Sequence, residues 1–352
     1  MRTIVCSGAD ALGAGSLRSE TLCVGPLMQI VIRQELMQAT KRKWKRRLIL
    51  SAIFLVVLTG MSVYLAFTRL HFSTQTIWPL SQLQWDYQTD IELDGDLPQI
   101  IGHRGSGINS SVADLIIGNT RTAIANGIKA GVDWIEIDIR ASSDNRLVVF
   151  HDEKLDEKTD GTGNVGDISF NDLKAFKVNV EPPESIPSLD EIFSEFRSEN
   201  VRWILDVKAK GIHDLVLKWV DDKIALGELS DDQVIIFGTY DVLADYKDAG
   251  YSLGYTAIWG NTGNRLKVLF RPSQIIDRCR ELDCDYLVLP AVFANESLID
   301  GAKSVGYEVW VYGVDDERDF KYLANCGVRG FIVDHPDKFT INGDENIAES
   351  DN

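Results

Sequence analysis

The sequence predicts an α/β protein whose main part is a (β/α)8 TIM barrel with one extra antiparallel hairpin strand, preceded by a single transmembrane helix. Three observations lead to this fold class: one run of twenty uncharged residues, nine short apolar runs after it, and a single gap between those runs that is too short for a helical crossover. The predicted regions are a basic tail (1–47), the transmembrane helix (48–67), a polar tether (68–97), the barrel (98–340) and an acidic tail (341–352).

The composition excludes several classes of protein. The chain has 352 residues, of which 45% are hydrophobic and 25% charged, so it is not a disordered, collagen-like or disulfide-scaffold protein. Its 53 acidic and 36 basic residues give a net charge of −17, which argues against a nucleic-acid partner.

Residues 48–67, LILSAIFLVVLTGMSVYLAF, form the predicted transmembrane helix. At roughly 1.5 Å per residue, this uncharged run covers the ~30 Å of hydrocarbon in a bilayer. Six cations lie in residues 41–47, and the first 47 residues carry a net charge of +6, so the rest of the chain carries −23. The positive-inside rule therefore places the tail in the cytoplasm and the barrel outside it, in the periplasm if the protein is bacterial.

A cleaved signal peptide is the alternative interpretation of this run. Signal peptides have a shorter apolar region of ~7–15 residues, followed by small residues before the cleavage site. The run here is longer and ends in Tyr64-Leu65-Ala66-Phe67, which lacks that pattern. An uncleaved anchor is therefore favoured. The first forty residues show no clear period, and Met37 is a second candidate for the start of the chain.

Nine apolar runs in the remaining chain are separated mostly by segments of helical length. Runs rich in Ile, Val and Leu with this spacing indicate parallel strands covered by helices. The runs are Gln99–His103, Trp134–Ile139, Leu147–His151, Trp203–Lys208, Val234–Gly238, Leu253–Trp259, Tyr286–Pro290, Val309–Val314 and Gly330–Val333.

Only seven residues, RASSDNR, separate the second run from the third. This gap suits a turn at Asp144–Asn145, so the third run is expected to pair antiparallel with the second. Eight parallel strands remain in about 250 residues, and this strand number and length are typical of a (β/α)8 barrel. An open doubly wound sheet is the alternative, but no G-x-G-x-x-G follows the first strand.

Polar residues occur where the first strands end. In a barrel of this type, the groups that do chemistry lie at the carboxyl ends of the strands. Two of the strands carry charged pairs spaced i, i+2, which places both side chains on one face. The candidate residues are His103 and Arg104, Glu136 and Asp138, His151, and Asp206 with Lys208.

This set of side chains suits phosphodiester chemistry. Three carboxylates are ligands for a hard divalent cation such as Ca²⁺ or Mg²⁺. The cation, the guanidinium and the ammonium neutralise a phosphate, and two imidazoles serve as general acid and general base. The alternative is an internal ion-pair network in which Lys208 satisfies the buried carboxylates, with histidines that only cap strand ends.

The ordered motifs resemble those of the glycerophosphodiester phosphodiesterases, which are phospholipase-C-like phosphodiesterase barrels. The resemblance runs from Ile100 to about Pro336. Its motifs are GHRG (102–105), NTRTAI (119–124), IEIDIRAS (135–142), LVVFHDEKL (147–155), KTDGTG (158–163), IPSLDEIF (186–193), LDVK (205–208), VWVYGVDD (309–316) and GVRGFIVDHP (327–336).

The resemblance implies metal-dependent cleavage of glycerophosphodiesters to glycerol 3-phosphate and an alcohol. In the mechanism proposed for the family, the neighbouring glycerol hydroxyl attacks phosphorus, and water then opens the resulting cyclic phosphate. The implied roles are acid/base catalysis for His103 and His151, metal binding for Glu136, Asp138 and Asp206, and phosphate binding for Arg104 and Lys208.

Three departures from the family pattern leave alternatives open. Gly118-Asn119-Thr120 replaces the family's Glu-Asn-Thr, with Asp114 as a substitute carboxylate. Asp206 stands where a glutamate ligand is usual, and residues 311–315 replace an aromatic-Thr-Val-Asn ending. The other hypotheses are cleavage of lysophospholipids or phosphoinositides, and a catalytically silent barrel that binds a phosphorylated ligand. The sequence gives no oligomeric state.

Overall fold

The computed structural model describes residues 97–107, 117–199, 201–257 and 272–340, together with Leu93. Several predicted features lie outside the described residues: the tail 1–47, the helix 48–67, nearly all of the tether 68–97, Asp114 and the acidic tail 341–352. Among the residues described, no helix has both the length and the apolar character needed to cross a membrane. The anchor and its orientation therefore stay predictions.

Parallel strands form a closed barrel, as the sequence predicts. The described strands are β1 (Gln99–Gly102), β2 (Trp134–Ala141), β3 (Leu147–Val149), β4 (Lys177–Val178), β5 (Glu184–Ser185), β6 (Trp203–Val207), β7 (Val234–Gly238), β8 (Ser252–Thr256), β9 (Tyr286–Pro290), β10 (Glu308–Tyr312) and β11 (Gly330–Val333). Eight of them pair in parallel in the order β1, β2, β6, β7, β8, β9, β10 and β11, and β11 pairs with β1 to close the barrel.

The extra strand β3 confirms the predicted hairpin. It runs antiparallel to the end of β2, with Ile139 opposite Val149. Asn145 takes a left-handed conformation in the turn, with φ of 61°, which asparagine tolerates better than most residues. After β3, the backbone N–H of Phe150 donates to the carbonyl of Asp138 at 3.0 Å. The hairpin thus returns the chain to the level of Asp138 and places the following His151 beside it.

Helices connect the strands, and several of them begin at side-chain caps. The described helices are α1 (Arg121–Ala130), α2 (Phe170–Leu173), α3 (Leu189–Phe196), α4 (His213–Ala225), α5 (Tyr240–Leu243), α6 (Pro272–Leu282), α7 (Glu296–Lys303) and α8 (Glu317–Cys326). Single 3-10 turns lie at Val165–Asp167, Arg197–Glu199, Asp231–Gln233, Ala291–Phe293 and Pro336–Lys338. The Thr120 hydroxyl caps α1 by accepting from the Ala123 backbone, and Ser188 with Glu191 forms a capping box at α3.

The apolar core has an inner and an outer layer. The inner layer fills the barrel and consists of Ile101, Trp134, Ile204, Ile235, Phe237, Val288, Trp310 and Ile332. The outer layer lies between the strands and the helices, so the strands are buried on both faces, as their continuous apolar runs predict. A third cluster supports the segment 150–186, where β4 and β5 form a small sheet that the sequence did not predict.

Candidate active site

A tight turn after β1 presents His103 and Arg104. A side chain at Gly102 would place its Cβ 1.9 Å from the carbonyl oxygen of Gly105, and one at Gly105 would lie 2.5 Å from the backbone nitrogen of Ile124. Gly105 also has a φ of 92°. Gly102 is therefore needed for the tightness of the turn itself, and Gly105 for its close packing against α1.

Asp334, the residue that follows β11, holds His103. The Nδ1 atom of His103 lies 2.5 Å from Oδ1 of Asp334. Burial and Arg104 act to lower the pKa of His103, but Asp334 and Glu136 outweigh them, so the pKa is raised. Because Asp334 binds Nδ1, the ring orientation is fixed and Nε2 is the nitrogen left for proton transfer.

Three carboxylates meet at the carboxyl ends of β2 and β6. Asp138 and Asp206 are partners in the parallel pairing of these strands, and Glu136 precedes Asp138 on the same face. Each residue offers an oxygen, and these oxygens lie within 4.8 Å of one another. Asn119 clamps Asp138 from the neighbouring loop: its Nδ2 donates to Oδ2 of Asp138 at 2.7 Å, and its Oδ1 accepts from the Asp138 backbone at 3.0 Å.

Two cations lie against this group. Nε of Arg104 is 2.9 Å from Oδ2 of Asp138, an ion pair whose N–H is not aligned as a hydrogen bond. Nζ of Lys208 is 2.5 Å from Oδ2 of Asp206 and 3.0 Å from Oδ1 of Asp138. Although burial alone would raise the pKa of Asp138, the charges of Lys208 and Arg104 hold it well below its usual range. Burial lowers the pKa of Lys208, but the three carboxylates outweigh it and raise the pKa. The ion-pair network of the alternative interpretation is therefore present around Asp138 and Asp206.

Glu136 is the exception in this network. Among the described residues, no cation lies within ion-pairing distance of its carboxylate, which accepts the Arg104 backbone N–H at 2.7 Å. Burial and the neighbouring Asp138 charge raise the pKa of Glu136 to about 7. Three buried oxygen ligands with a shortage of positive charge fit a hard divalent cation.

His151 belongs to the same cluster of charges. Its Nδ1 lies 2.5 Å from Oδ1 of Asp152, and its carbonyl accepts from Nε of Arg140 at 2.8 Å. The pKa of His151 is lowered, because burial and the charges of Arg104 and Lys208 outweigh the opposite effect of Asp138. The charges that act on His151 are thus those that surround the carboxylates. A small open cavity lies beside His151, Asp206 and Lys208.

The structure gives a physical account of Gly118. A Cβ at this position would lie 2.4 Å from Cβ and 3.0 Å from Cδ of Arg104. The Arg104 side chain occupies the space that any side chain at 118 would need. A glutamate at position 118 would therefore clash with the Arg104 side chain where it lies against Asp138. Asp114, the substitute carboxylate, lies outside the described residues.

The structure brings all seven predicted site residues together, and it adds supporting residues that the sequence interpretation did not assign. Asp334 and Asp152 hold the two imidazoles, Asn119 holds Asp138, and Arg140 holds the backbone of His151. Asp334 could have been predicted from the sequence, because it directly follows the last predicted strand. Asn119 lies in the NTRTAI motif, but its contact with Asp138 depends on the fold and was not predicted from the sequence.

Comparison with protein families and with individual relatives gives a consistent result. The model of the "Glycerophosphoryl diester phosphodiesterase family" matches residues 103–242 and 276–338. A glycerophosphodiester phosphodiesterase of Caldanaerobacter subterraneus subsp. tengcongensis is 24% identical over 252 residues, which cover 68% of this chain and 94% of that protein. Human glycerophosphodiester phosphodiesterase 1 is 33% identical over 115 residues, which cover 31% of this chain and 33% of the human protein.

Solved structures support the fold. An Oleispira antarctica phosphodiesterase in complex with the product sn-glycerol-3-phosphate superposes with a TM-score of 0.56 at 23% identity, over 69% of this chain and 95% of that chain. A putative glycerophosphoryl diester phosphodiesterase from Agrobacterium tumefaciens gives a TM-score of 0.58 at 15% identity, over 68% of this chain and 95% of that one. At these identities the likeness shows the shared barrel.

Proposed function

The chain belongs to the glycerophosphoryl diester phosphodiesterase family, and on that premise we propose that it hydrolyses glycerophosphodiesters to glycerol 3-phosphate and an alcohol with the help of a divalent cation and two histidines. The observation that carries this proposal is the convergence of three buried carboxylates at one rim of the barrel, with two cations and two carboxylate-bound imidazoles around them.

Glu136, Asp138 and Asp206 would hold the cation, which we expect to be Ca²⁺ or Mg²⁺. When bound, it polarises a phosphoryl oxygen as a Lewis acid. The residues fit this task because Glu136 forms no ion pair among the described residues, and burial with the Asp138 charge raises its pKa despite the charges of His103 and Lys208. Asp206 is one methylene shorter than the glutamate that the family pattern has at this position, and Asn119 keeps Asp138 in place.

Arg104 and Lys208 act on the phosphate group. Both are buried against the carboxylates, so they are held before substrate arrives and lose little side-chain entropy when it binds. In a site shielded from water, their charge stabilises the negative charge that grows on the phosphoryl oxygens in the transition state.

His103 and His151 transfer the protons. The Nε2 of one imidazole accepts the proton of the glycerol hydroxyl that attacks phosphorus, and the other gives a proton to the leaving alcohol oxygen. When water opens the cyclic phosphate, the two roles reverse. Asp334 and Asp152 hold the opposite nitrogen of each ring, which keeps Nε2 directed to the substrate.

The test is an assay of the full chain with glycerophosphocholine in the presence of Ca²⁺ or Mg²⁺. We expect turnover that EDTA abolishes and that returns when the cation is added back. His103→Ala and His151→Ala should each lower kcat by about 10²- to 10⁴-fold, the usual contribution of general acid–base catalysis. His213→Ala is the control, because the acidic partners of His213 are Asp214 and Asp245 and not the candidate site residues.

The same assay separates the other hypotheses. Turnover of a lysophospholipid or a phosphoinositide, with none of glycerophosphocholine, would favour those substrates. A chain that binds glycerol 3-phosphate but turns over no diester with either cation would be the silent barrel. Unchanged turnover in His103→Ala would contradict the acid/base assignment.

A further inference from the structure

The cavity beside the candidate site has a charged wall and an uncharged wall. The charged wall is formed by groups already described in the site, namely Arg140, His151, Asp206 and Lys208. The uncharged wall consists of Val207 at the end of β6, Thr239 and Val242 after β7, and Thr256 at the end of β8. A phosphate belongs on the charged side, so the uncharged wall faces another part of the substrate.

Thr256 is the last residue of β8 and faces the inside of the barrel. Two residues earlier, a Cβ at Gly254 would lie 2.1 Å from the ring of Phe237, which is part of the inner core. Side chains alternate along a strand, so Thr256 shares the inward face with Gly254. Tyr255 points the other way, where its hydroxyl accepts from Arg278 at 3.2 Å.

The Thr256 hydroxyl has an unmet hydrogen-bonding capacity. The residue is only 7% exposed, and its Oγ1 atom has no hydrogen-bond partner among the described residues. Burying a hydroxyl in this way costs free energy, and most buried polar atoms in proteins have a partner. An unpaired hydroxyl at the carboxyl rim of the barrel, on the wall of the reaction cavity, is where a ligand would supply that partner.

We propose that the Thr256 hydroxyl binds the terminal hydroxyl of the substrate's glycerol group, and that Thr256 is therefore a specificity residue for that half of the substrate. This inference rests on the proposed function. The glycerol group is the uncharged part common to all glycerophosphodiesters, whereas the alcohol varies. A single buried hydroxyl at a fixed position suits a partner that is always present.

The experiment combines one substitution with two substrates. Glycerophosphocholine carries the terminal hydroxyl, whereas 2-hydroxypropyl phosphocholine lacks it but keeps the hydroxyl next to the phosphoester. Thr256→Val replaces the hydroxyl with a methyl group of similar size. We expect Thr256→Val to lower kcat/KM for glycerophosphocholine about 10-fold, the effect of one hydrogen bond of ~1.4 kcal/mol. The same variant should leave kcat/KM for the analogue unchanged, while the wild-type protein should already hydrolyse the analogue about 10-fold more slowly than glycerophosphocholine.

Thr340→Val is the matched control, because the Thr340 hydroxyl is also buried and has no partner among the described residues, but does not line the cavity. It should leave both substrates unaffected. The melting temperature of Thr256→Val should not fall, because the hydroxyl makes no bond within the described protein. Equal losses on both substrates, or no loss on either, would overturn the inference. Absence of any turnover by the wild-type protein would instead contradict the proposed function.

Discussion

At the level of single residues, the two histidines are held by acidic neighbours in different ways. Asp152 is adjacent to His151 in the chain, whereas Asp334 reaches His103 from the opposite end of the barrel sequence. The position of His103 therefore depends on closure of the barrel between β1 and β11. Asp334 orients the His103 ring and also raises its pKa, so its role goes beyond packing.

Asp334→Asn should weaken catalysis and shift its pH dependence. Without the Asp334 carboxylate, the pKa-lowering effects of burial and Arg104 should outweigh the effect of Glu136, so the pKa of His103 should fall. We expect kcat to decrease by about 10- to 100-fold, the usual effect of losing an orienting partner, and the limb of the pH–rate profile set by His103 to move to lower pH. Asp337→Asn, at an exposed residue three positions later, should change neither. A lower kcat with an unmoved profile would mean that Asp334 does not act through the titration of His103.

The raised pKa of Glu136 leads to a prediction of how a bound cation should change the stability of the protein at different pH values. Burial and the charge of Asp138 raise its pKa to about 7, from an ordinary value of 4.5. Between these values the folded, cation-free protein binds more protons than the unfolded chain, so its free energy of unfolding should fall as the pH rises from about 5 to about 7. Bound Ca²⁺ or Mg²⁺ supplies positive charge in place of the proton, and should therefore raise the melting temperature more at pH 8 than at pH 5.

Glu136→Gln is the control for this prediction. It removes the titrating group but keeps a similar shape, so the difference in cation response between the two pH values should shrink. Thermal unfolding of the EDTA-treated protein, with and without the cation, measures both effects. An equal rise in melting temperature at pH 5 and pH 8 would show that the cation binds elsewhere.

The residue types at the strand ends predicted the residues at the centre of the site, but not the residues that hold them in place. His103, Arg104, Glu136, Asp138, His151, Asp206 and Lys208 could be found because the ends of parallel strands share one rim. The contact made by Asn119, which the NTRTAI motif contains, and the position of Thr256 could not be predicted, because polar loop and strand residues of these types are common. Their importance depends on which atoms approach them, and this is set by the packing of the chain.

At the level of elements, the strands were predictable because parallel strands buried on both faces are continuously apolar. The short gap before β3 also predicted its antiparallel pairing correctly. The small sheet of β4 and β5 was missed, since each strand has only two residues and two residues carry no periodicity.

The loop that leads into α1 gives a prediction about element packing. Gly118 lies against the Arg104 side chain, so this loop and the turn after β1 fit together only without a side chain at 118. Gly118→Ala should cost about 1–3 kcal/mol of unfolding free energy through overpacking, and should also lower kcat/KM because Arg104 must move away from its position. Gly118→Glu, which matches the family pattern, should not raise activity.

Denaturant unfolding and the diesterase assay check this prediction. The matched control is Gly166→Ala, because a Cβ at Gly166 meets only one backbone oxygen at 3.9 Å. Its stability should be nearly unchanged. Higher activity in Gly118→Glu would instead show that the missing glutamate limits the natural enzyme.

At the level of the whole molecule, the charge distribution predicts a membrane-bound enzyme whose barrel lies outside the cytoplasm. The basic residues before position 48 and the net charge of −23 after it are properties of the sequence, and the predicted helix lies outside the described residues. We expect the full chain to sediment with membranes, to resist extraction by high salt and to be released by detergent. The double substitution Val57→Lys and Leu58→Lys should free it, because each lysine at the centre of a membrane helix costs about 2.5–3.5 kcal/mol on insertion scales.

Reporter fusions test the orientation and separate the anchor from a cleaved signal peptide. An alkaline phosphatase, which is active only outside the cytoplasm, should be active when fused after residue 70 and silent when fused after residue 47. Retention of the full mass in the membrane fraction would support an anchor, whereas a shortened, soluble exported product would identify a signal peptide. The positive-inside rule requires the basic cluster to stay on the cytoplasmic side. Replacing the six cations of residues 41–47 with glutamine should therefore weaken this preference and lower the phosphatase signal of the fusion after residue 70. A signal that does not change would mean that the basic cluster does not set the orientation.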